Sequence, residues 1–394
     1  MKKLQFLFGG YLAVILGLFL YSYTQVDLSL TLSRVSFLQI IEKSFQYIGY
    51  FNRPLSTILY CILLVLLFTF YFLFLFLKLY KKITIKNFWI LLLVISAILT
   101  FSYNAFSYDL FNYIFAAKVV VHYHQNPYVL TALDFPKDPM LSFMHWTQNT
   151  YQYGAVWLGV TIPFYFFGFG YFLLTFFLFK ILATLSFLGS LYFLQKILQK
   201  IHPDKVILGL ILFACNPLVI IEMLVSSHND STMMLLGLLA TYFVFEKKWI
   251  LGIITIIISY FTKQVTIVLL LPAILLMVSS FTKKHFFSQE NYLWLSAVLT
   301  FGAFCYAGIK IGIQPWYAVW FLPFFFLLKL PKYLMAIILG LTLGLLLRYV
   351  PFLWQGDWNG LALIIMPMVT VVTPLLFLLG DFTIQRVWKR NLFA

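Results

Sequence analysis

The chain has 394 residues, 63% of them hydrophobic and 10% charged, with a mean hydropathy of +0.95. A soluble domain carries about 25% charged residues, so this composition defines a polytopic membrane protein. The formal charge of +15 does not indicate nucleic acid, because the basic residues are scattered between apolar runs and form no stripe. Cys61, Cys215 and Cys305 each fall in an apolar run, which leaves them as small core residues and excludes a disulfide framework or a cysteine metal site.

The chain opens on Lys2, Lys3 and an apolar run. That run is too long for a signal peptide, lacks a small-residue cleavage site and is followed by further spans, so it reads as a retained first helix. The hydropathy pattern predicts an all-α transmembrane bundle of about twelve spans, near 6–24, 55–77, 88–105, 170–195, 206–224, 231–246, 249–262, 264–280, 291–309, 315–330, 332–348 and 361–380. The sixth, seventh and tenth are short, as spans that stop partway inside a bundle are. The whole is expected to be one integral membrane domain: an N-terminal helix pair to about 87, a core over 88–325, and C-terminal spans over 326–394. The longest outer segments are 25–54 and 106–154, and amphipathic helices are expected in the second. Residues 154–169 are read as a half-buried segment at the outer surface.

Lys and Arg set the orientation. Arg34, Lys43, Arg53, Lys118, Lys137, Lys263, Lys310 and Arg348 fall outside and Lys180 lies within a span. The other 18 of the 27, including Lys78, Lys81, Lys247, Lys248, Lys283 and Lys284, fall on the cytoplasmic side. This bias predicts a multi-pass cell-membrane protein with both termini cytoplasmic. The acidic residues lean the other way, with Asp109, Glu222 and Asp230 at the outer face.

Polar groups at membrane depth are costly and face a cavity or a partner. Asp109 opens the stretch Ser107–Tyr128, with Asn112 and the small Ala116 on the same helical face. It reads either as a helix N-cap or as an acid–base group. Farther along come Gln152-Tyr153-Gly154, Glu222, Ser227-His228-Asn229-Asp230, Lys263, Gln314-Pro315-Trp316-Tyr317 and Arg348. Each has a plain alternative. Tyr153, Trp157, Trp316 and Tyr317 fit an interfacial aromatic belt. Glu222 fits a structural pair with Lys263, and His228 and Asp230 fit caps of the sixth span. His122, His124 and His228 lack ligand spacing, so no metal and no cofactor are expected. Together the groups offer carboxylates, cations and aromatic faces at one membrane surface, which suits work on a sugar and a phosphate.

The segments SYDLFNYIFAAKVVVHYHQNPY, YQYGAVW, NPLVIIEMLVSSHND, FTKQVTIVLLLPA and QPWYAVWFLPF resemble, in order and spacing over roughly 100–325, the GT-C superfamily of integral membrane glycosyltransferases. Within it they are most similar to polyprenol-phosphate-mannose-dependent mannosyltransferases. The chain departs in carrying Tyr108 and Leu110 where members often hold a second acid, Ala155 where they read Tyr-Gly-Pro, and an added N-terminal pair of spans.

The resemblance implies an inverting transfer of a hexose such as mannose from a polyprenyl-phosphate donor in the bilayer to a glycan or glycolipid acceptor, on the extracytoplasmic face. It makes Asp109 the base. Asn112 and His228 would orient groups beside it, Lys263 and Arg348 would hold the departing phosphate, and Tyr153, Asp230, Trp316 and Tyr317 would contact substrate. A lipid-linked glycan flippase, with Lys180 at the midplane, and a surface-polysaccharide polymerase or ligase are the alternatives. Nucleotide sugars are absent outside, and the chain contains no nucleotide-binding pattern, which favours a lipid-borne donor.

Overall fold

The computed structural model describes the backbone of residues 2–76, 82–282 and 286–391, and side chains within 4–380. Lys78, Lys81, Lys283 and Lys284 lie outside the described residues. Among those described there is no strand, and helix stands at each of the twelve predicted positions.

The N-terminal part contains α1 (Lys2–Ser22), α2 (Ser36–Gln46), α3 (Arg53–Phe76) and α4 (Ile85–Thr100). Then come α5 (Asp109–Val121), α6 (Ala155–Phe166), α7 (Phe172–Ile201), α8 (Val206–Ala214) and the single turn α9 (Pro217–Val219). The remaining helices are α10 (Asp230–Phe245), α11 (Trp249–Tyr260), α12 (Leu270–Phe281), α13 (Gln289–Ile311), α14 (Leu322–Leu327), α15 (Lys332–Leu347), α16 (Tyr349–Gln355) and α17 (Leu361–Asn391).

Seven of these stretches are long and apolar enough to cross a membrane, and α8 with the segment Pro217–Val225 makes an eighth if that bent pair is one span. The predicted short spans are short. The 16 residues of α10 measure roughly 24 Å and the 12 of α11 roughly 18 Å, against a hydrocarbon core of about 30 Å. α10 packs on both α11 and α7. The 12-residue α6 is likewise too short to cross straight and lies against α5 and α7.

The segments expected to form the first outer loops differ from expectation. α5 is not two-faced: Leu110, Phe111, Tyr113, Ile114, Phe115, Ala116, Ala117 and Val119 are all buried, and all of them but Ala116 belong to a second core shared with Met140, Phe143, Trp157, Phe176 and Phe179. The amphipathic helix is α2, one loop earlier, with Phe37, Leu38, Ile40 and Ile41 exposed.

The bundle has two chemically different ends, and α10 runs between them. At its last residue the Phe245 carbonyl accepts Lys200 Nζ at 2.6 Å, and Lys200 also pairs with Glu246 at 2.9 Å. Lys205 and Lys329 line a cleft with His202, whose proximity to Glu290 puts it at the same lysine-rich end, since Gln289 also reaches Phe245. At the first residue of α10 stands Asp230, in the polar cluster.

Candidate active site

The cluster is built on a break in the chain. Proline lacks an N–H and pushes the preceding residue to extended backbone. Accordingly α8 ends before Asn216, which sits at φ −64°, ψ 123° and caps the next turn by accepting from Leu218 N at 3.0 Å. The two arms meet at 55°. The second arm unwinds into a π-helical turn, Ile220–Val225, a form that recurs at functional positions.

The carbonyls at the end of that turn are capped by Lys180. Its Nζ donates to Leu224 O at 2.5 Å, Val225 O at 2.7 Å and Ser102 Oγ at 3.2 Å, fully buried. The chain then passes Ser227 in the left-handed region at φ +58°, a conformation a serine holds only where its surroundings enforce it. His228, Asn229 and Asp230 follow, all buried.

Asp109 enters from α5. Its carboxylate Oδ2 lies 3.2 Å from His228 Nδ1 and accepts from Tyr113 OH at 3.5 Å. It is not the helix N-cap: Tyr108 occupies that position, and the Asp109 N–H is held by Ser107 Oγ at 3.1 Å. Tyr113, one turn on, also donates to Asn229 Oδ1 at 3.3 Å. The side chain beside the carboxylate is therefore Tyr113. Ala116, expected to leave open space there, is buried, and Asn112 is half-buried with no polar partner among the described residues.

The opposite edge of the His228 ring faces Glu222. Nε2 is 3.4 Å from Oε2, an ion-pair distance without hydrogen-bond alignment. Glu222 Oε1 accepts from Tyr349 OH at 2.9 Å. The expected Glu222–Lys263 pair does not form. Lys263 Nζ instead reaches both oxygens of Asp230, at 2.9 and 2.8 Å. Trp320 Nε1 also donates to Asp230. Asp230 thus serves the lysine and the indole, and does not cap α10.

The aromatic residues are not an interfacial belt. Trp157 and Tyr317 are buried. Trp316 stacks on His228 at 4.0 Å and 18°. Residues 315–320 form a 3₁₀ turn, in which positions i and i+3 eclipse, so Tyr317 and Trp320 stack at 4.3 Å with Lys263 5.3 and 5.5 Å above their rings. Tyr153 packs edge-on to Tyr113 at 5.0 Å. Its loop is docked by Gly154: Val156 N donates to Phe261 O at 3.0 Å, and a Cβ at Gly154 would stand 1.8 Å from that oxygen.

Arg348 is not brought into the cluster. Its guanidinium binds Ile313 O at 2.8 Å and Thr370 Oγ1 at 3.1 Å, tying α15 to α17. His122 and His124 are exposed beyond the far end of α5, roughly 20 Å along the helix from Asp109.

Electrostatics follow from this geometry. Burial pushes the Asp109 carboxyl up. The hydrogen bond and charge of His228, with Lys263 and the Tyr153 hydroxyl, outweigh burial and hold it below the usual carboxylate value. Burial pulls the His228 imidazole down, but Asp109 and Glu222 on its two edges lift it to about 9. Six buried polar atoms without a hydrogen-bond partner lie between 216 and 231: Asn216 Nδ2, Glu222 Oε2, Ser226 Oγ, His228 Nε2, Asn229 Nδ2 and Ser231 Oγ. Such atoms are rare in a finished core, and each calls for a partner such as ordered water, an ion or a ligand.

Sequence reasoning left Tyr113, Trp320 and Tyr349 out, gave Asn229 no role of its own and treated Glu222 only as a structural partner. A signal existed for Tyr113, at i+4 from Asp109, and for Trp320, at i+4 from Trp316. None existed for Tyr349, which arrives from a distant helix.

Helices of membrane length gather buried carboxylates, an imidazole and an amine in one cluster. The chain belongs to the family described as "Alpha-(1->6)-mannopyranosyltransferase, N-terminal domain", whose model matches residues 9–280. It is thus a mannosyltransferase-family membrane protein. The match takes in the N-terminal helix pair and every cluster residue up to Lys263. No curated protein and no solved structure matches the chain.

Proposed function

We propose that the protein transfers a mannosyl residue from a polyprenyl-phosphate donor to a glycan or glycolipid hydroxyl on the extracytoplasmic face, with inversion and with Asp109 as base. The observation that carries this reading is the Asp109 carboxylate, which is free of the helix cap, aimed by His228 and joined in one cluster by Lys263.

In the step, the acceptor O–H gives its proton to Asp109 and its oxygen forms a bond to the anomeric carbon. The bond from that carbon to the phosphate oxygen breaks, and its electron pair leaves with the polyprenyl phosphate. The Lys263 ammonium and the His228 imidazolium stabilise that departing charge. Trp316, Tyr317 and Tyr153 offer faces for sugar rings. The family description points to an α-(1→6) linkage, and an inverting displacement reaches an α product from a β-linked donor.

Extracytoplasmic placement rests on the lysine bias. The cluster lies at the end of α10 opposite Lys200, and the lysine-rich end belongs in the cytoplasm. The flippase alternative loses its main candidate, because Lys180 is engaged by the Leu224 and Val225 carbonyls. The test is to incubate purified protein with several polyprenyl-phosphate sugars and a mannoside acceptor. Consumption of the mannosyl donor with an α-(1→6) product is expected. Use of a nucleotide sugar, or of a lipid-diphosphate donor alone, would overturn the assignment.

A further inference from the structure

His228 stands between two carboxylates, and the number of protons this requires is informative. Nδ1 faces Asp109 Oδ2 at 3.2 Å, and Nε2 faces Glu222 Oε2 at 3.4 Å. A neutral imidazole carries one N–H, so one of these contacts would set a ring lone pair against a carboxylate oxygen. With both acids ionised, only the doubly protonated ring turns an N–H rather than a lone pair toward each.

Among the described residues, His228 is the one cation source in ion-pair contact with Glu222. The acid is fully buried in the bent span, its Oε1 takes the Tyr349 hydroxyl, and no Lys or Arg among the described residues pairs with it. A buried carboxylate without a cation is strongly unfavourable. The other groups around the pair do not supply one. Tyr113 and Tyr153 are neutral phenols near Asp109, and Asp230 and Lys263 are paired with each other. Trp316 covers the flat face of the ring and adds no charge.

We propose that Glu222 is a positioning residue that keeps His228 a permanent imidazolium, so that the site holds a second fixed cation beside Lys263. The consequence for catalysis rests on the transferase reading above. When Asp109 takes the acceptor's proton, its own hold on Nδ1 weakens. Glu222, on the far edge, does not change charge and keeps the ring cationic and in place while the phosphate departs. No proton leaves His228 in this scheme.

The experiment is ¹⁵N NMR of the full-length protein, labelled at histidine and held in lipid nanodiscs, with His228 identified among the 6 histidines by its loss in H228Q. The wild type is expected to show both ring nitrogens protonated at about pH 8, where an ordinary histidine is neutral. In E222Q the ring is expected to lose its proton at lower pH than in the wild type, with Asp109 alone left to hold its charge. Donor turnover by E222Q should then fall about 10-fold or more from pH 6 to pH 8 beyond any change in the wild type. A neutral His228 in the wild type at about pH 8, or an unchanged titration in E222Q, would overturn the proposal. The wild-type titration decides the charge even if E222Q fails to fold. Because the NMR readout needs no turnover, failure of every polyprenyl-phosphate sugar as donor would remove the transferase reading and leave the charge of His228 to be judged by its own titration.

Discussion

Lys263 closes on both carboxylate oxygens of Asp230, at 2.9 and 2.8 Å, with the amine partly exposed and the acid buried. Removing the amine alone strands a buried carboxylate. Lys263→Met should therefore destabilise the protein by about 3–5 kcal/mol. Adding Asp230→Asn should restore most of that loss, since the amide can still accept from Trp320. If Lys263 also holds the departing phosphate, the double variant recovers its melting temperature in detergent but not its turnover. Recovery of both would reduce Lys263 to a structural partner.

Asp109→Asn separates the base from every packing role. The amide keeps a hydrogen-bonding oxygen for His228 and Tyr113 but cannot take a proton at neutral pH. The protein should insert and bind donor normally, while kcat falls by about 10²-fold or more. Asp230→Asn should be milder. Near-normal turnover of Asp109→Asn in a single-turnover assay would end its assignment as base.

Gly154→Ala tests a close approach. Gly154 has an ordinary φ of −68°, so the glycine is not there for a left-handed turn. It is there because a Cβ would fall 1.8 Å from the Phe261 carbonyl oxygen, with the backbone itself in the way. The 153–156 segment must then lift off 261–262, two residues from Lys263. Overpacking of this kind costs about 1–3 kcal/mol. Both thermal stability and KM for the donor should worsen. Unchanged values for both would show that the loop is not held there.

Lys180 has no carboxylate partner among the described residues and caps two backbone carbonyls of the π-turn instead. Lys180→Met leaves those carbonyls unsatisfied, at about 1–3 kcal/mol. Hydrogen exchange should rise over 224–230, ahead of the rest of the bundle, and kcat should drop with it. Uniform loosening of the whole protein would instead mark Lys180 as general packing.

The pH dependence of stability has a definite sign. His228 is lifted to about 9, so its contribution is fully present below the unfolded value near 6.5 and disappears as pH rises through about 9. Asp109 is depressed, so its contribution is present above the unfolded value near 3.9 and is lost as pH falls. The melting-temperature gap between wild type and His228→Asn should therefore be widest between about pH 4 and pH 6.5 and should close toward alkaline pH. A gap that widens above about pH 8 would contradict the assigned charge.

The helical, membrane-embedded class was written in composition, since 10% charge over 394 residues permits no soluble core. Helix positions were legible too, because apolar run length is a local property, and so was the shortness of α10 and α11. The family was readable from five motifs in order. The membership of the cluster was partly readable, because a carboxylate, imidazole or amine at membrane depth is costly wherever it sits.

What the sequence could not decide is which of these groups touch. Glu222 and Lys263 looked complementary, yet the 55° break and the π-turn aim Glu222 at His228 and Tyr349 and leave Lys263 to Asp230. Arg348 lies one residue before Tyr349. The helical rotation between neighbours sends Tyr349 into the cluster and Arg348 out to Ile313 and Thr370. α5, apolar enough to lie on a bilayer, is buried because α6, α7 and the 132–144 loop close round it. Pairing and burial are set by rotation about helix axes and by long-range packing. Those are properties of the folded bundle, and no spacing along a single chain carries them.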